Sequence, residues 1–262
     1  MYTGVNELSV ESICHFLTNP NYKERIHLFQ SLESTNDTAL KMAAEGAPHG
    51  TVVLAEGQTA GRGRRERSFF SPPEHGIYMS IILYSSYLAL NPPTLVTALA
   101  AIAVCEAIEA IKGVPSGIKP QIKWINDIYL ENKKICGILA ENSHNAVVVG
   151  IGINFTEPLE GYPPELLSKV GALFGCNHAP ITRNQLIANI IDRLNYRRTQ
   201  QQIHNAYKKR LPMLGKPVIV HMPNETFPAI ALDIDEKGGV IVRKTTGQTL
   251  TLTAGEISVT MG

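Results

Sequence analysis

Between Gly61 and Arg67 the chain reads GRGRRER, four arginines and two glycines in seven residues. Guanidinium groups supply forked donors that match carboxylate and phosphate oxygens, while glycines let the backbone approach a ligand and present its N–H groups. Binding a highly charged anion is the chemistry such a loop suits. Arg62, Arg64, Arg65 and Arg67 repel one another when no anion bridges them, so the loop is expected to be mobile when empty and to order on a ligand. Residues 123–139, KWINDIYLENKKICGIL, read as a hairpin with Lys123, Asn126 and Asp127 on one arm and Lys134 and Gly137 on or near the other. Asp127 suits a magnesium ion between phosphates, because Mg²⁺ takes one or two carboxylates and completes its shell with phosphate oxygens and water. Lys134 suits the neutralisation of charge in a transition state.

Two smaller groups complete the candidates. Ser34, Thr35 and Asn36 in LESTND are N-cap types that can also hydrogen-bond a neutral polar ligand, with Gln58 as a second donor and acceptor. GIGINF, at residues 150–155, resembles half of a glycine-rich nucleotide fingerprint but lacks the third glycine and the following helix, so a Rossmann site is excluded. Gly152 and Asn154 can still line a ligand. Each feature has a plain alternative: a solvated charge run, a helix cap, hairpin-turn residues at ENKK, and a core position for Trp124.

The elements that must position these groups follow from hydrophobic periodicity. Ser9–Leu17 reads as a short helix, RIHLFQSL as a strand, and STN as the cap of a helix to about Glu45. TVVLAE, IYMSIILY and AVVVGIGINF read as strands, the last buried on both faces, with an exposed sheet edge after it as a surface for a second copy. Asn91 caps a long apolar helix to about Ile111; further helices are expected around PELLSKVGALF and from Thr182 to about Arg210. From Lys216 the pattern changes to short alternating runs, Ile230, Leu232 and Ile234 or Leu250, Leu252 and Ala254. This predicts a small SH3-like β-barrel, giving domains at 1–213 and 214–262. The fold class is α+β, a mixed sheet packed with helices plus that barrel.

Composition narrows the classes. A chain of 262 residues with 44% hydrophobic content buries a sizeable core, and its formal charge of +1 offers no global field for nucleic acid. The N-terminus lacks a signal-peptide pattern, and Glu106 and Glu109 interrupt the most apolar helix, so a cytoplasmic location without a membrane span is expected. Cys14, Cys105, Cys136 and Cys176 are widely spaced, which suits reduced thiols.

Taken in order, LESTN, QTAGRGRRERSFFSP, KWIND, KKICGILAE, GIGIN and AGEIS resemble the biotin-protein ligases along almost the whole chain. The resemblance implies a two-step reaction: biotin and MgATP give biotinyl-5'-adenylate, and the acyl group passes to a lysine of a biotin carboxyl carrier domain. The acceptor it implies is the carrier of acetyl-CoA carboxylase, with pyruvate carboxylase as the other possibility. It assigns Ser34, Thr35, Asn36, Gln58, Gly61, Arg62, Gly63, Arg64, Lys134 and Gly137 to biotin, and Arg64, Arg67, Phe69, Lys123, Asn126, Asp127, Lys134 and Asn154 to ATP. Catalysis would rest on Lys134, Arg64, Arg67 and Asp127, the last also the possible Mg²⁺ ligand. The family often has proline where this chain has Ile125, which implies altered loop stiffness. Only 33 residues precede Ser34, so the resemblance is to the monofunctional form without a DNA-binding domain, and no specific DNA binding is expected; monomer and homodimer both stay open. The rivals are a lipoate- or octanoate-protein ligase, which the GRGRR loop and terminal GEIS disfavour, and a non-catalytic nucleotide- or RNA-binding module, which the presence of Lys134 and Asp127 disfavours.

Overall fold

The structure is a computed structural model that describes residues 7–84, 93–112, 119–176, 179–253 and 256–259. The expected cap at Asn91, and Ala254 and Gly255 of AGEIS, lie outside the described residues. Seven strands, β1 (Ile26–Leu32), β2 (Val52–Gln58), β3 (Gly76–Tyr84), β4 (Gln121–Lys123), β5 (Asp127–Leu130), β6 (Lys133–Ser143) and β7 (Ala146–Asn154), form one sheet in the order β1-β2-β3-β7-β6-β5-β4. Only β1 and β2 run parallel; the other pairs are antiparallel.

The central strands are apolar at nearly every position because both faces are covered. Val53, Ile82 and Val148 meet Ala39 of α2 (Thr35–Ala44) on one face. Val52, Leu54, Ile81 and Val149 join the main core on the other, with α3 (Pro93–Glu109) and α4 (Arg183–Asn195). Each such valine or isoleucine contributes about 1.5–3 kcal/mol by leaving water. A further helix, α1 (Val10–Phe16), starts at the Ser9 cap as its sequence implies. Arg183, 1% exposed at the start of α4, pairs with Glu56 of β2 at 2.8 Å and donates to the Gly76 carbonyl, while Glu56 also takes the Leu8 N–H. These bonds satisfy two buried charges and tie Leu8, β2, β3 and α4 together.

Four expectations are corrected here. IKWINDIYL is not one arm: β4 and β5 pair antiparallel around Trp124, Ile125 and Asn126, so Lys123 sits opposite Asp127. Strand β7 lies between β3 and β6, so the sheet has no edge after GIGINF; its edges are β1 and β4. The segment PELLSKVGALF forms turns rather than a helix: Pro164 opens it and restricts Pro163 before it, and the Leu166 and Lys169 N–H groups close turns on the Pro163 and Leu166 carbonyls. The span from Thr182 is two helices, because Tyr196 is extended and Thr199 opens α5 (Gln200–Lys208) with its own capping box to Gln202.

The C-terminal strands β8 (Pro217–His221), β9 (Thr226–Ile234), β10 (Val240–Lys244), β11 (Thr249–Leu252) and β12 (Glu256–Val259) form the expected small antiparallel sheet, ordered β11-β10-β9-β8-β12. Its phase is not the expected one. Phe227, Ala229 and Ala231 point inward with Ile234, whereas Ile230 and Leu232 are each 37% exposed. Pairing with β10 passes from Ala231 to Asp233 and skips Leu232, a bulge that flips the face of the residues beyond it. The small sheet packs on the main domain through Trp124 Nε1, which donates to the Gly238 carbonyl at 2.9 Å, and through Lys208 of α5 on Asp233.

Candidate functional site

A cavity of about 780 Å³ opens over the ends of β2, β3, β5, β6 and β7 and the start of α2. It gathers Ser34, Thr35, Asn36, Gln58, Arg62, Gly63, Arg64, Arg67, Phe69, Lys123, Asn126, Asp127, Lys134, Gly137 and Asn154 into one wall. Of the sequence candidates Gly61 alone is not part of its lining; it is buried behind the loop, where a Cβ would come within 2.6 Å of the Phe69 carbonyl and Ser71 Oγ. Glycine at 61 therefore serves the close return of the loop, which Phe69 N–H closes on the Gly61 carbonyl at 2.8 Å and Gly63 N–H on the Arg67 carbonyl at 2.7 Å.

The inner end of the cavity is neutral and buried. Ser34 caps α2 by accepting the Asp37 N–H, as its residue type predicts. Thr35 N–H donates to Gln58 Oε1 at 2.9 Å, Gln58 Nε2 donates to Ser71 Oγ at 2.9 Å, and Ser71 in turn donates to the Phe69 carbonyl. Both Asn36 amide protons are engaged, on Glu141 Oε2 at 2.7 Å and the Leu139 carbonyl at 3.3 Å, and its Oδ1 takes Ser80 Oγ–H at 2.6 Å. Asn36 fits there because Gly150 of β7 has no side chain: a Cβ would stand 2.2 Å from Asn36 Oδ1.

The outer end is ionic. Lys134 Nζ lies 2.8 Å from Asp127 Oδ1, both side chains about a quarter exposed, and Arg64 donates to Asn126 Oδ1 at 3.2 Å. Lys123 Nζ sits 5.6 Å from the Tyr129 ring centroid. The Phe69 ring rests over Gly137 and Gly152, where a Cβ would meet it at 3.2 and 2.7 Å. Arg62 departs from the expectation of mutual repulsion: its guanidinium is countered by Asp37 and, at 2.9 Å, by Glu141, which pins the loop to α2 and β6.

Asp127 is the carboxylate lining the cavity, and no group of three potential metal-ligating side chains occurs among the described residues. That donor set fits a cation that draws most of its shell from phosphate and water, and does not fit an all-protein metal cage. Asn154 Nδ2 donates to the Gly171 carbonyl at 2.9 Å and so ties the segment after β7 to the cavity.

Sequence reasoning missed that segment as a wall. Tyr162, Leu166, Lys169 and Val170 line the cavity from an irregular segment, which Lys134 joins by a bridge to Val170 and an N–H bond to the Lys169 carbonyl at 3.0 Å. Tyr162 packs edge-on to Phe70; its hydroxyl is buried without a hydrogen-bond partner among the described residues, and burial pushes its pKa up to about 12. Ser80 was equally invisible, since it reads as an ordinary position in an apolar strand.

The chain is similar to known proteins in sequence and in fold. Residues 28–155 match the Biotin/lipoate A/B protein ligase family, and residues 213–259 match the Biotin protein ligase C terminal domain. The chain is 34% identical over 227 residues to the bifunctional ligase/repressor BirA of Bacillus subtilis, covering 82% of this chain and 68% of the relative. It is 30% identical over 231 residues to the biotin--[acetyl-CoA-carboxylase] ligase of Mycobacterium tuberculosis, covering 86% and 85%. In fold it is similar to the biotin protein ligase of Aquifex aeolicus solved with biotin and ATP, at a TM-score of 0.73 and 22% identity over 90% of this chain and 99% of that one. The chain belongs to the biotin protein ligase family.

Proposed function

We propose that this protein is an ATP-dependent biotin--[acetyl-CoA-carboxylase] ligase, which forms biotinyl-5'-adenylate and transfers the biotinyl group to a lysine of a biotin carboxyl carrier domain. One observation carries the reading: a single cavity joins a buried, neutral hydrogen-bonding floor to a cationic mouth around one carboxylate. A neutral bicyclic head group with a carboxylate tail, joined to a triphosphate, needs both ends at that separation of character.

Ser34, Thr35 and Gln58 bind the ureido head, with Asn36 beneath them and Gly61, Arg62, Gly63 and Gly137 shaping the closed loop and strand around it. Lys134 meets both the biotin carboxylate and the α-phosphate. In the first step a carboxylate oxygen attacks the α-phosphorus and pyrophosphate leaves; Lys134, Arg64 and Arg67 offset the charge that gathers on the phosphoryl oxygens. Lys123 and Asn126 hold the polyphosphate, Phe69 stacks on the adenylate, and Asn154 reads the adenine. Asp127 is the residue that would hold a magnesium ion accompanying ATP, which would supply further charge neutralisation. In the second step the carrier lysine attacks the acyl carbon, AMP leaves, and Asp127 takes the proton released by the amine. Closure of the loop excludes water from the mixed anhydride between the steps.

We place the domain boundary between Met213 and Leu214, and the protein in the cytoplasm, consistent with a described chain in which no helix is long and apolar enough to cross a membrane. A net charge of +1 offers no general attraction for duplex DNA, which supports ligation without operator binding. Intact mass spectrometry of a recombinant biotin-carrier domain, incubated with the protein, MgATP and either biotin or lipoate, tests the proposal. A biotin-sized gain that needs ATP and the carrier lysine is expected. A gain with lipoate alone would replace the reading with that of a lipoate ligase, and no gain with either would leave a binding module.

A further inference from the structure

The floor of the cavity is a chain of hydrogen bonds whose direction can be deduced. It begins at Glu141, whose carboxylate accepts only, and at the Leu139 carbonyl, which also accepts only; both take protons from Asn36 Nδ2. The Asn36 amide is therefore oriented without ambiguity, and its Oδ1 turns to Ser80. That oxygen donates nothing, so the single Ser80 proton is committed to it across 2.6 Å. Ser80 Oγ, fully buried, then offers its other neighbour only lone pairs. That neighbour is Thr35 Oγ1 at 2.8 Å. The one Thr35 proton has two places to go, Ser80 Oγ or, at 3.2 Å, Gln58 Oε1, and both lie within the protein. Either way Thr35 shows the cavity lone pairs and no donor.

Gln58 is oriented by the same logic with the opposite outcome. Its Oε1 faces the Thr35 N–H, a donor, so its Nε2 points to Ser71 and keeps one proton to spare. The floor thus presents an acceptor, Thr35, beside a donor, Gln58.

We propose that Glu141 and Ser80 are positioning residues for substrate choice: through Asn36 they fix Thr35 as an acceptor, so that the inner end of the cavity selects a ring bearing an N–H next to a C=O and rejects one bearing an oxygen in place of that N–H. The inference rests on the assignment of the biotin head to this end. Neither residue needs to touch the ligand. Arg62 joins the same anchor, since it pairs with Glu141 from above, so the loop and the floor share one carboxylate.

The test compares biotin with its two cyclic carbamates, in which one or the other ureido N–H is replaced by oxygen, by calorimetry on the full chain without ATP. For the unaltered protein one of the carbamates is expected to bind at least about 100-fold more weakly than biotin, because its ring oxygen would face the lone pairs of Thr35. Ser80→Ala removes the nearer acceptor of the Thr35 proton and leaves only Gln58 Oε1 at 3.2 Å, a long bond that a ligand oxygen can replace, so the ratio should fall below about 10-fold. Glu141→Leu, on a side chain 27% exposed and so safer for folding, should lower the ratio in the same direction. Glu141→Gln keeps an acceptor for Asn36 and should retain the preference. A ratio unchanged in both folded Ser80→Ala and Glu141→Leu proteins would overturn the inference, as would loss of preference in Glu141→Gln. No measurable biotin binding by the unaltered protein would instead remove the assignment of the floor to biotin.

Discussion

The two ends of the cavity are built on opposite physical plans. At the inner end Thr35, Asn36 and Ser80 are 4% exposed or less, uncharged, and linked in one hydrogen-bonded chain. At the outer end Lys134 and Asp127 remain 27% and 22% exposed, and cationic side chains stand around a single lining carboxylate. Buried neutral groups must have partners in the empty protein, or the fold would bear the cost of their desolvation. Partly solvated charges bear less of that cost, because water shares in satisfying them. The inner end is therefore preorganised and its selectivity is a property of the free protein, whereas the outer end holds partly exposed ion pairs, such as Lys134 on Asp127, that an anion can compete for.

The largest effect should come from the outer end. Lys134→Ala is expected to lower adenylate formation by about 1,000-fold or more with the melting temperature little changed, since the side chain is partly solvated; single-turnover pyrophosphate release measures it. Near-normal release from a folded variant would take Lys134 out of the chemistry and remove the contrast. Gly150→Ala attacks the inner end. Its Cβ would stand 2.2 Å from Asn36 Oδ1, so Asn36 must shift, with a stability loss of about 1–3 kcal/mol and biotin affinity down by about 10- to 100-fold. Calorimetry with a parallel melt checks both; tight biotin binding would mean that the floor is not the biotin end.

Salt sharpens the comparison without mutation. Raising ionic strength from about 0.05 to 0.5 M should weaken ATP binding by about 10-fold and leave ATP-free biotin binding within about twofold, because exposed charges are screened and buried neutral bonds are not. Equal sensitivity of both ligands would erase the distinction.

The smallest effect is expected at the domain junction, where exposure again sets the size. Lys208 holds the Asp233 carboxyl below the usual carboxylate range, helped by the Ile234 N–H. A depressed folded pKa means the stabilisation is complete above the unfolded value of about 3.9 and is lost as pH falls through the folded value. Both side chains are 42% exposed, so Asp233→Asn should cost under about 1 kcal/mol at neutral pH, and nothing in acid below the folded pKa. Denaturant titrations at pH 7 and in strong acid would measure this, and a large loss at pH 7 would show that the junction carries more of the stability than exposed pairs do.

How much of this was legible depends on the range of the interaction. Ser9, Ser34 and Thr182 announce their helices because a cap bonds within three residues, and Thr199 carried the same signal inside what looked like one helical run. The arginine loop, the KWIND and KKICGIL stretches and GIGIN could be named as candidates from residue chemistry alone. Their convergence could not be read from periodicity, because it depends on register: Ser80, Gly150 and Leu139 stand side by side on β3, β7 and β6, leaving a gap that Asn36 enters from a helix more than 100 residues from Glu141.

By itself, then, the sequence determined the class of fold, the positions of most strands, the small C-terminal β domain and the cationic character of one loop, since all of these follow from local composition and spacing. The tertiary structure decided which face of β9 is inward, where a bulge at Leu232 overrides simple alternation. It decided that the segment from Tyr162 to Val170 walls the cavity and that PELLSKVGALF forms turns instead of a helix, because backbone bonds there go to Lys134 and to one another's turns. It decided, too, that Arg62 is neutralised by Asp37 and Glu141 while Arg64 reaches Asn126. Charge is written in the chain, but the partner of each charge is set only when distant strands come into register.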